Sequence, residues 1–230
     1  KGGRLATRLI TGTNKSCGTF ITPYLPGKFR PTPIKNDGTR YHWTLAYDPQ
    51  GAGGDGEFTF TMRSDTHTSE NYGELPEASQ KEAQARFPST QTFTVPLTPG
   101  YKKEGAIFDR FGLLNMMKSG GTAVMFFDDV VIDGIAEDFS RDPGWAAVGN
   151  RTTYEDREVV GAHDFGFSGK TNHAGGNAAG EVGGGLWRSG AYGYYADQIG
   201  PLSLDQRLEA RGKVKLVTAG PDSDMHIGWF

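Results

Sequence analysis

The chain has 230 residues, a formal net charge of -3 and 36% hydrophobic residues, which suffices for one large β-sandwich or two small domains. Such a chain can bury a core without a disulfide or metal staple. Its 34 glycines are roughly twice the usual share of about 7% but lack the triplet period of collagen, and 12% aromatic residues argue against disorder. The balanced charge gives no basic stripe for nucleic acid, and no apolar run approaches the roughly 20 residues that span a bilayer.

Cys17 is the single cysteine, which excludes an intrachain disulfide and a cysteine metal cluster. The sequence starts at Lys1 and shows no signal peptide. We therefore expect a processed or trimmed chain, or a piece of a longer protein, whose compartment cannot be deduced from its start.

The first strong pattern is a hairpin. Residues 40–47 alternate bulky and polar side chains, a turn with four glycines follows over residues 48–56, and residues 57–63 resume the period of two. This arrangement predicts two antiparallel strands joined by a glycine turn. Phe58, Phe60 and Met62 are expected to share one face of the second strand, against the core.

Similar runs recur along the chain and predict an all-β protein. They occupy residues 92–97, 106–114, 122–132, 182–188, 191–196, 207–218 and 225–230. Only residues 77–86 have a helical composition, and they lack an apolar stripe, so we expect a solvated loop insertion there. Many short strands and one weak helix favour an antiparallel sandwich.

Several runs resemble a known family of folds. The sequences HWTLAYDP at 42–49, FDRFGL at 108–113 and FFDDV at 126–130 resemble the second half of concanavalin A-like (laminin G-like) jelly rolls, notably those of large secreted bacterial proteins. The sequences GEVGG at 180–184, ARGKV at 210–214 and DSDMHIGWF at 222–230 resemble the first half. The resemblance covers about half of the chain and implies an antiparallel two-sheet jelly-roll sandwich.

The two halves stand in reversed order relative to that family, and three interpretations fit. We predict that residues 1–230 form one sandwich in permuted order. Alternatively, residues 1–135 end one jelly roll, residues 136–150 are a linker, and residues 151–230 begin the next. In the third interpretation neighbouring molecules exchange halves and form a propagating assembly.

The glycine-rich stretch 163–180 concentrates imidazole and amide groups, and binding residues often lie on such loops. Together with nearby aromatic and cationic residues, it can supply the flat rings and hydrogen-bonding groups that recognise sugars. The alternative is that Trp187 and half of the tyrosines are core residues and the loop only covers a sheet edge. The predicted ligand-binding residues are His163, Asn172, His173, Trp187, Arg188, Tyr192, Tyr194 and Tyr195.

Three aspartates are candidate calcium ligands, because hard cations prefer carboxylate and carbonyl oxygens. Asp48 and Asp55 flank the glycine turn, and Asp129 ends a strand-like run. Turn chemistry explains the first two without a metal, and backbone hydrogen bonds from an adjoining loop explain Asp129. Beyond this structural calcium, the sequence indicates no cofactor.

Catalysis by a glycanase of this fold needs two carboxylates that face each other across the scissile bond. Asp128 and Asp129 are adjacent and are expected to point to opposite faces of a strand. Asp156 and Glu158 could share a face, but the family's third acid is absent. A polysaccharide-degrading enzyme is therefore the third expectation for function.

The first expectation, implied by the resemblance, is a non-catalytic carbohydrate-binding module of an extracellular or cell-surface bacterial protein. The second is a structural repeat or self-assembling subunit of a cell-surface or fibrous protein. The expected partners are accordingly a polysaccharide or glycan, or copies of the chain and flanking domains. Neither a nucleic acid nor a membrane span is expected.

Overall fold

The computed structural model describes residues 2–3, 6–10, 16–20, 34–64, 90–115, 121–150, 164–187 and 192–230. It is all-β with two main antiparallel sheets, as the sequence predicts, and two short two-stranded pairs. The strands are β1 (Gly2–Gly3), β2 (Ala6–Ile10), β3 (Ser16–Phe20), β4 (Ile34–Lys35), β5 (Tyr41–Asp48), β6 (Glu57–Ser64), β7 (Thr90–Pro96), β8 (Ile107–Asn115), β9 (Thr122–Ile132), β10 (Ile135–Glu137), β11 (Ala146–Val148), β12 (Asp164–Ser168), β13 (Glu181–Trp187), β14 (Gly193–Ser203), β15 (Leu208–Ala219) and β16 (His226–Trp229). The two short pairs are β1-β4 and β2-β3. The helix considered at residues 77–86 and the pair Asp156 and Glu158 lie outside the described residues.

The larger of the two sheets has the strand order β12-β13-β9-β15-β5-β6-β7, with β10 paired to the end of β9. The smaller sheet has the order β11-β14-β8-β16. Strands from before and after residues 136–150 are therefore neighbours in both sheets. In the larger sheet β15 lies between β9 and β5, and in the smaller sheet β8 lies between β14 and β16.

The predicted hairpin is confirmed as the pair β5 and β6, which runs in register from Tyr41 opposite Ser64 to Asp48 opposite Glu57. A short 3₁₀ turn, Ala52–Gly54, lies within the connection. Gly56 has a φ of 100° and packs directly against the Tyr47 ring, so a side chain there would be strained and would clash. These features explain why the turn is rich in glycine.

The core lies between the two sheets and draws on both. Trp43, Phe127 and Val214 from the larger sheet pack with Phe111 and Tyr195 from the smaller sheet. Met62, Phe58 and Phe60 all belong to or pack against the buried clusters, which confirms the predicted inner face of β6. The alternation of inner and outer residues then fixes which side chains face solvent.

The stretch predicted as one loop over residues 163–180 is shorter in the structure. Its beginning forms β12, whose five residues are all buried and pair with β13. Phe165 and Phe167 both pack in the main core, and this burial stabilises a strand where the polar composition had indicated a loop. The loop itself comprises residues 169–180.

Candidate functional site

The loop 169–180 folds back over the outer face of the larger sheet. Ala174 is fully buried there and packs on Val124 and Phe126 of β9. The His173 ring stacks on the Phe126 ring, with centroids 4.1 Å apart and planes 13° apart. Because Phe127 faces the main core, its neighbour Phe126 faces outward and provides the surface on which the loop rests.

Glu181, the first residue of β13, fastens this loop. Its side chain is 0% exposed, and Oε1 accepts the backbone N–H of His173 at 2.9 Å while Oε2 accepts that of Ala174 at 2.9 Å. The His173 Nδ1 lies 2.6 Å from Oε1. A buried carboxylate requires such partners, and here the partners are the loop's own groups.

A β-bulge in β9 changes the orientation expected for Asp128 and Asp129. Lys213 of β15 pairs with Asp128, while Arg211, two residues earlier, pairs with Val131, so β9 carries one extra residue. Asp129 takes up this extra residue with a φ of 46°. Both carboxylates consequently interact with the loop 169–180, and the expectation that they point to opposite faces is wrong.

Asp128 lies beneath the loop and is 0% exposed. Its Oδ1 accepts the Asp129 N–H at 2.7 Å, whereas its Oδ2 makes no hydrogen bond of standard geometry. The pKa of Asp128 is raised to about 7, mainly by burial and further by the charges of Asp129 and Glu181, while the N–H groups of Asp129 and Gly176 offset part of the rise. The carboxyl group therefore carries a proton through the acidic range.

Asp129 forms an ion pair with Lys213 of β15. Its Oδ2 lies 2.8 Å from the Lys213 Nζ, and both side chains are less than one-fifth exposed. The Asn177 N–H reaches its Oδ1 at 3.5 Å, as expected for an aspartate that receives a loop amide. Lys213 also donates to the Gly175 carbonyl at 3.0 Å, so this ion pair ties the loop to β15.

The acidic cluster of Asp128, Asp129 and Glu181 thus holds a loop in place. Val182 pairs with Phe127, which sets Glu181 beside Asp128 on the same face of neighbouring strands. Two such carboxylates could serve hydrolysis only if a substrate reached them. Both are fully buried beneath the loop, which leaves no room for a substrate in this conformation.

A second group of candidate residues lies on the outer face of the smaller sheet. Tyr192 is 55% exposed, and its ring lies 5.8 Å from that of Tyr194, which in turn lies 5.6 Å from that of Phe230. The Arg110 guanidinium stands 5.3 Å from the centre of the Tyr194 ring and contacts the Asp109 carboxylate. We call these five residues the aromatic platform.

The structure separates the predicted ligand-binding residues. Asn172 and His173 lie in the loop on the larger sheet, where the Asn172 Nδ2 donates to the carbonyls of Gly176 and Ala178. Tyr192 and Tyr194 belong to the opposite side of the sandwich. His163 and Arg188 lie outside the described residues, and only the backbone of Trp187 is described, paired with Thr122.

Tyr195 requires a correction. Its side chain is 1% exposed and packs against Trp145 between the sheets, so it has no surface to offer a ligand. Burial also raises the pKa of its phenol, with the Asp142 carboxylate adding to the rise. The period of two along β14 explains the difference, because Tyr194 and Tyr195 must point to opposite faces.

Two of the three aspartates considered for calcium have protein partners. Asp48 accepts the Gln50 N–H at 3.0 Å and lies 3.0 Å from the Arg207 guanidinium, and Asp129 pairs with Lys213. Asp55 occupies the C-cap position of the short 3₁₀ turn. Within the described part of the chain, no three His, Cys, Asp or Glu side chains converge as a metal-binding set.

Sequence reasoning missed Phe230, Arg110 and Asp109. They lie far from Tyr194 in the sequence and join it only because β8 lies beside both β14 and the C-terminal segment. The Phe230 N–H donates to the Arg110 carbonyl at 3.0 Å. The signal available was the charged pair Asp109 and Arg110 between the apolar residues Phe108 and Phe111 of β8, which indicates an outer face.

Comparisons with protein-family models, with curated proteins and with solved structures find no match for this chain. Among the described residues, no helix has the length and apolar character needed to span a bilayer. The geometry of the candidate sites is therefore the basis for a functional assignment.

Proposed function

We propose that this chain is a non-catalytic carbohydrate-binding module that holds its glycan on the aromatic platform. The observation that carries the proposal is the group of adjacent rings of Tyr192, Tyr194 and Phe230, whose planes meet edge to face at 73° and 62°. The localisation that accompanies it is extracellular or cell-surface, in a bacterial protein, as the family resemblance implies.

The chemistry of the platform suits a sugar. Aromatic rings present flat apolar faces to the C–H groups of a pyranose, and a tyrosine hydroxyl adds a polar group at the ring edge. Arg110 and Asp109 add N–H donors and a carboxylate acceptor beside Tyr194. The partial exposure of Tyr192, in contrast to the buried Tyr195, leaves a ring for stacking.

We also propose that the fold is a concanavalin A-like jelly roll whose halves close on each other within one chain, in permuted order. The interleaving of strands from both halves in the two sheets supports this interpretation over a linker between separate jelly rolls. In such an arrangement the platform joins residues of both halves, since Arg110 precedes and Tyr194 follows the predicted boundary at residues 136–150.

Binding is favoured over catalysis by the burial of the acids. Asp128 and Glu181 are the facing carboxylates that a glycanase would need, and both are 0% exposed. Glu181 already accepts two backbone N–H groups of the loop. An enzyme would have to open this loop and lose those hydrogen bonds.

The test is affinity electrophoresis of the purified chain through gels that contain individual neutral polysaccharides. We expect at least one polysaccharide to retard the wild-type chain and the double variant Tyr192→Ala/Tyr194→Ala to lose most of that retardation. Ile135→Ala is the matched control, because Ile135 is also an exposed apolar side chain, at 75%, on a hairpin far from the platform.

Three outcomes of this assay would each contradict glycan binding at the platform. Equal retardation of the double variant and the wild type would remove the platform from the binding site. If no polysaccharide retards the chain and light scattering shows species that grow with concentration, self-assembly replaces glycan binding as the proposed function. Release of reducing sugar during the assay would instead favour the enzyme.

A further inference from the structure

The outer face of the larger sheet carries basic side chains in register across three strands. Lys213 of β15 pairs with His42 of β5, and His42 pairs with Arg63 of β6. Their neighbours Tyr41, Met62 and Val214 belong to the buried core, so these three point outward. The full set, which we call the basic face, is Arg40, His42, Arg63, Arg211, Lys213 and Lys215.

The local acids balance only part of this set. Lys213 is paired with Asp129, and Arg211 lies 3.0 Å from Glu209. Arg40 donates to the carbonyls of His173 and Asn172 at 2.9 and 3.4 Å, which are neutral acceptors. The basic face therefore contains more positive than negative side chains.

Two of the cations have no carboxylate within ion-pair distance among the described residues, namely Arg63 and Lys215. Arg63 is exposed and Lys215 is half-buried. Cations next to one another on neighbouring strands repel, and here they gather on one face of a chain whose net charge is -3. Lys213 is explained by its ion pair with Asp129 of the acidic cluster. Arg63 and Lys215 have no such explanation.

We propose that the basic face binds an acidic polysaccharide whose sugars carry carboxylates, that is, a uronic-acid polymer. This inference goes beyond the platform, since it uses other residues on the opposite side of the sandwich. Arginine presents a planar fork that matches a carboxylate, and lysine adds a mobile charge. Binding would supply negative charge that the described residues of this face do not provide.

Threonine hydroxyls beside the basic face favour a sugar over other polyanions. Arg211 pairs with Thr44, Thr44 with Thr61, and Thr61 with Thr92, and the last two hydroxyl oxygens lie 3.0 Å apart. These outward hydroxyls can donate to and accept from sugar hydroxyls. A flat sheet face of this kind offers neither an element that enters a duplex groove nor rings for base stacking.

The experiment compares retardation of the whole chain by polygalacturonate and by double-stranded DNA at equal charge concentration, and by neutral dextran at the same mass concentration as polygalacturonate. The test variant is Arg63→Gln/Lys215→Gln. The control is Arg141→Gln/Lys103→Gln, which removes the same charge from exposed residues away from the face. Both variants change solvent-accessible side chains, so we expect both to fold.

We expect polygalacturonate to retard the wild type and the control. The test variant should bind polygalacturonate about tenfold more weakly. Any retardation by dextran should be the same for the test variant and the wild type. Added salt should weaken the wild-type interaction steeply because the contacts are solvent-exposed charges. The Tyr192→Ala/Tyr194→Ala variant should keep its binding to polygalacturonate, which separates this inference from the proposed function. The inference is overturned if polygalacturonate is not bound, if the test and control variants bind alike, or if DNA binds as tightly as polygalacturonate.

Discussion

The buried carboxyl of Asp128 makes a specific prediction about stability and pH. Asp128→Asn keeps the shape of the side chain and removes its charge. The amide oxygen can still accept the Asp129 N–H, which reaches Oδ1 at 2.7 Å in the wild type. The amide carries no charge at any pH, so the variant avoids the repulsion between Asp128 and the buried Glu181 carboxylate.

The pKa of Asp128 in the wild type determines how the free energy of unfolding changes with pH. Burial raises the Asp128 pKa from 3.8 to about 7, so between these pH values the folded state binds a proton that the unfolded state has lost. The wild type therefore loses stability as pH rises from about 4 to about 7 and reaches a plateau above that range. At about 1.36 kcal/mol per unit, the loss is on the order of 4 kcal/mol.

The assay is urea denaturation of the wild type and Asp128→Asn from pH 4 to pH 8. We expect the variant's advantage in free energy of unfolding to be smallest near pH 4, to increase toward pH 7 and then to stay constant. Asp138→Asn is the control, because the Ser140 N–H and hydroxyl lower the Asp138 pKa below its usual 3.8. The contribution of that carboxylate therefore changes only below about pH 4, and the difference between Asp138→Asn and the wild type should stay constant from pH 4 to pH 8. A pH-independent difference between Asp128→Asn and the wild type would refute the reasoning.

Two further predictions concern the loop and the calcium candidates. Gly176→Ala places a Cβ against the Asp128 carboxylate and should lower the free energy of unfolding by roughly 1–3 kcal/mol. Gly169→Ala is the control, because its Cβ meets only the Phe167 ring at ordinary contact distance and should change the free energy of unfolding little. Equal urea midpoints for the two variants would contradict this packing. Addition of millimolar calcium or of a chelator should leave the Tm of the chain unchanged, because Asp48 and Asp129 form ion pairs with protein cations. A calcium-dependent increase in Tm, measured by calorimetry, would contradict this prediction and indicate a calcium site.

The sequence predicted those features that depend on period and local turn chemistry. The alternation in β5 and β6 and the glycines between them were sufficient to predict the hairpin and its buried face. The same rule failed at Asp128 and Asp129, because one extra residue reverses the alternation and a bulge leaves no clear mark in a run of apolar residues. Loss of the period at a single position was enough to hide the acidic cluster.

The candidate sites depended on strand register, which one sequence does not reveal. Tyr192 and Tyr194 were identified as binding residues, but their partner Arg110 lies on a strand more than eighty residues earlier. Likewise, the overall charge of -3 concealed the basic face, because Lys213, His42 and Arg63 are collected from three separate strands. Composition averages over the surface, whereas the sheet sorts residues by face.

The central claim is that a glycan lies on the aromatic platform, and amide chemical-shift mapping tests it most directly. The ¹⁵N-labelled chain would be titrated with a fragment of the neutral polysaccharide that gives the strongest retardation in the affinity gels. We expect the largest shifts to fall in β14, β8 and β16, close to Tyr194, Arg110 and Phe230. Shifts confined to the loop 169–180 and the larger sheet, with none in the smaller sheet, would contradict it.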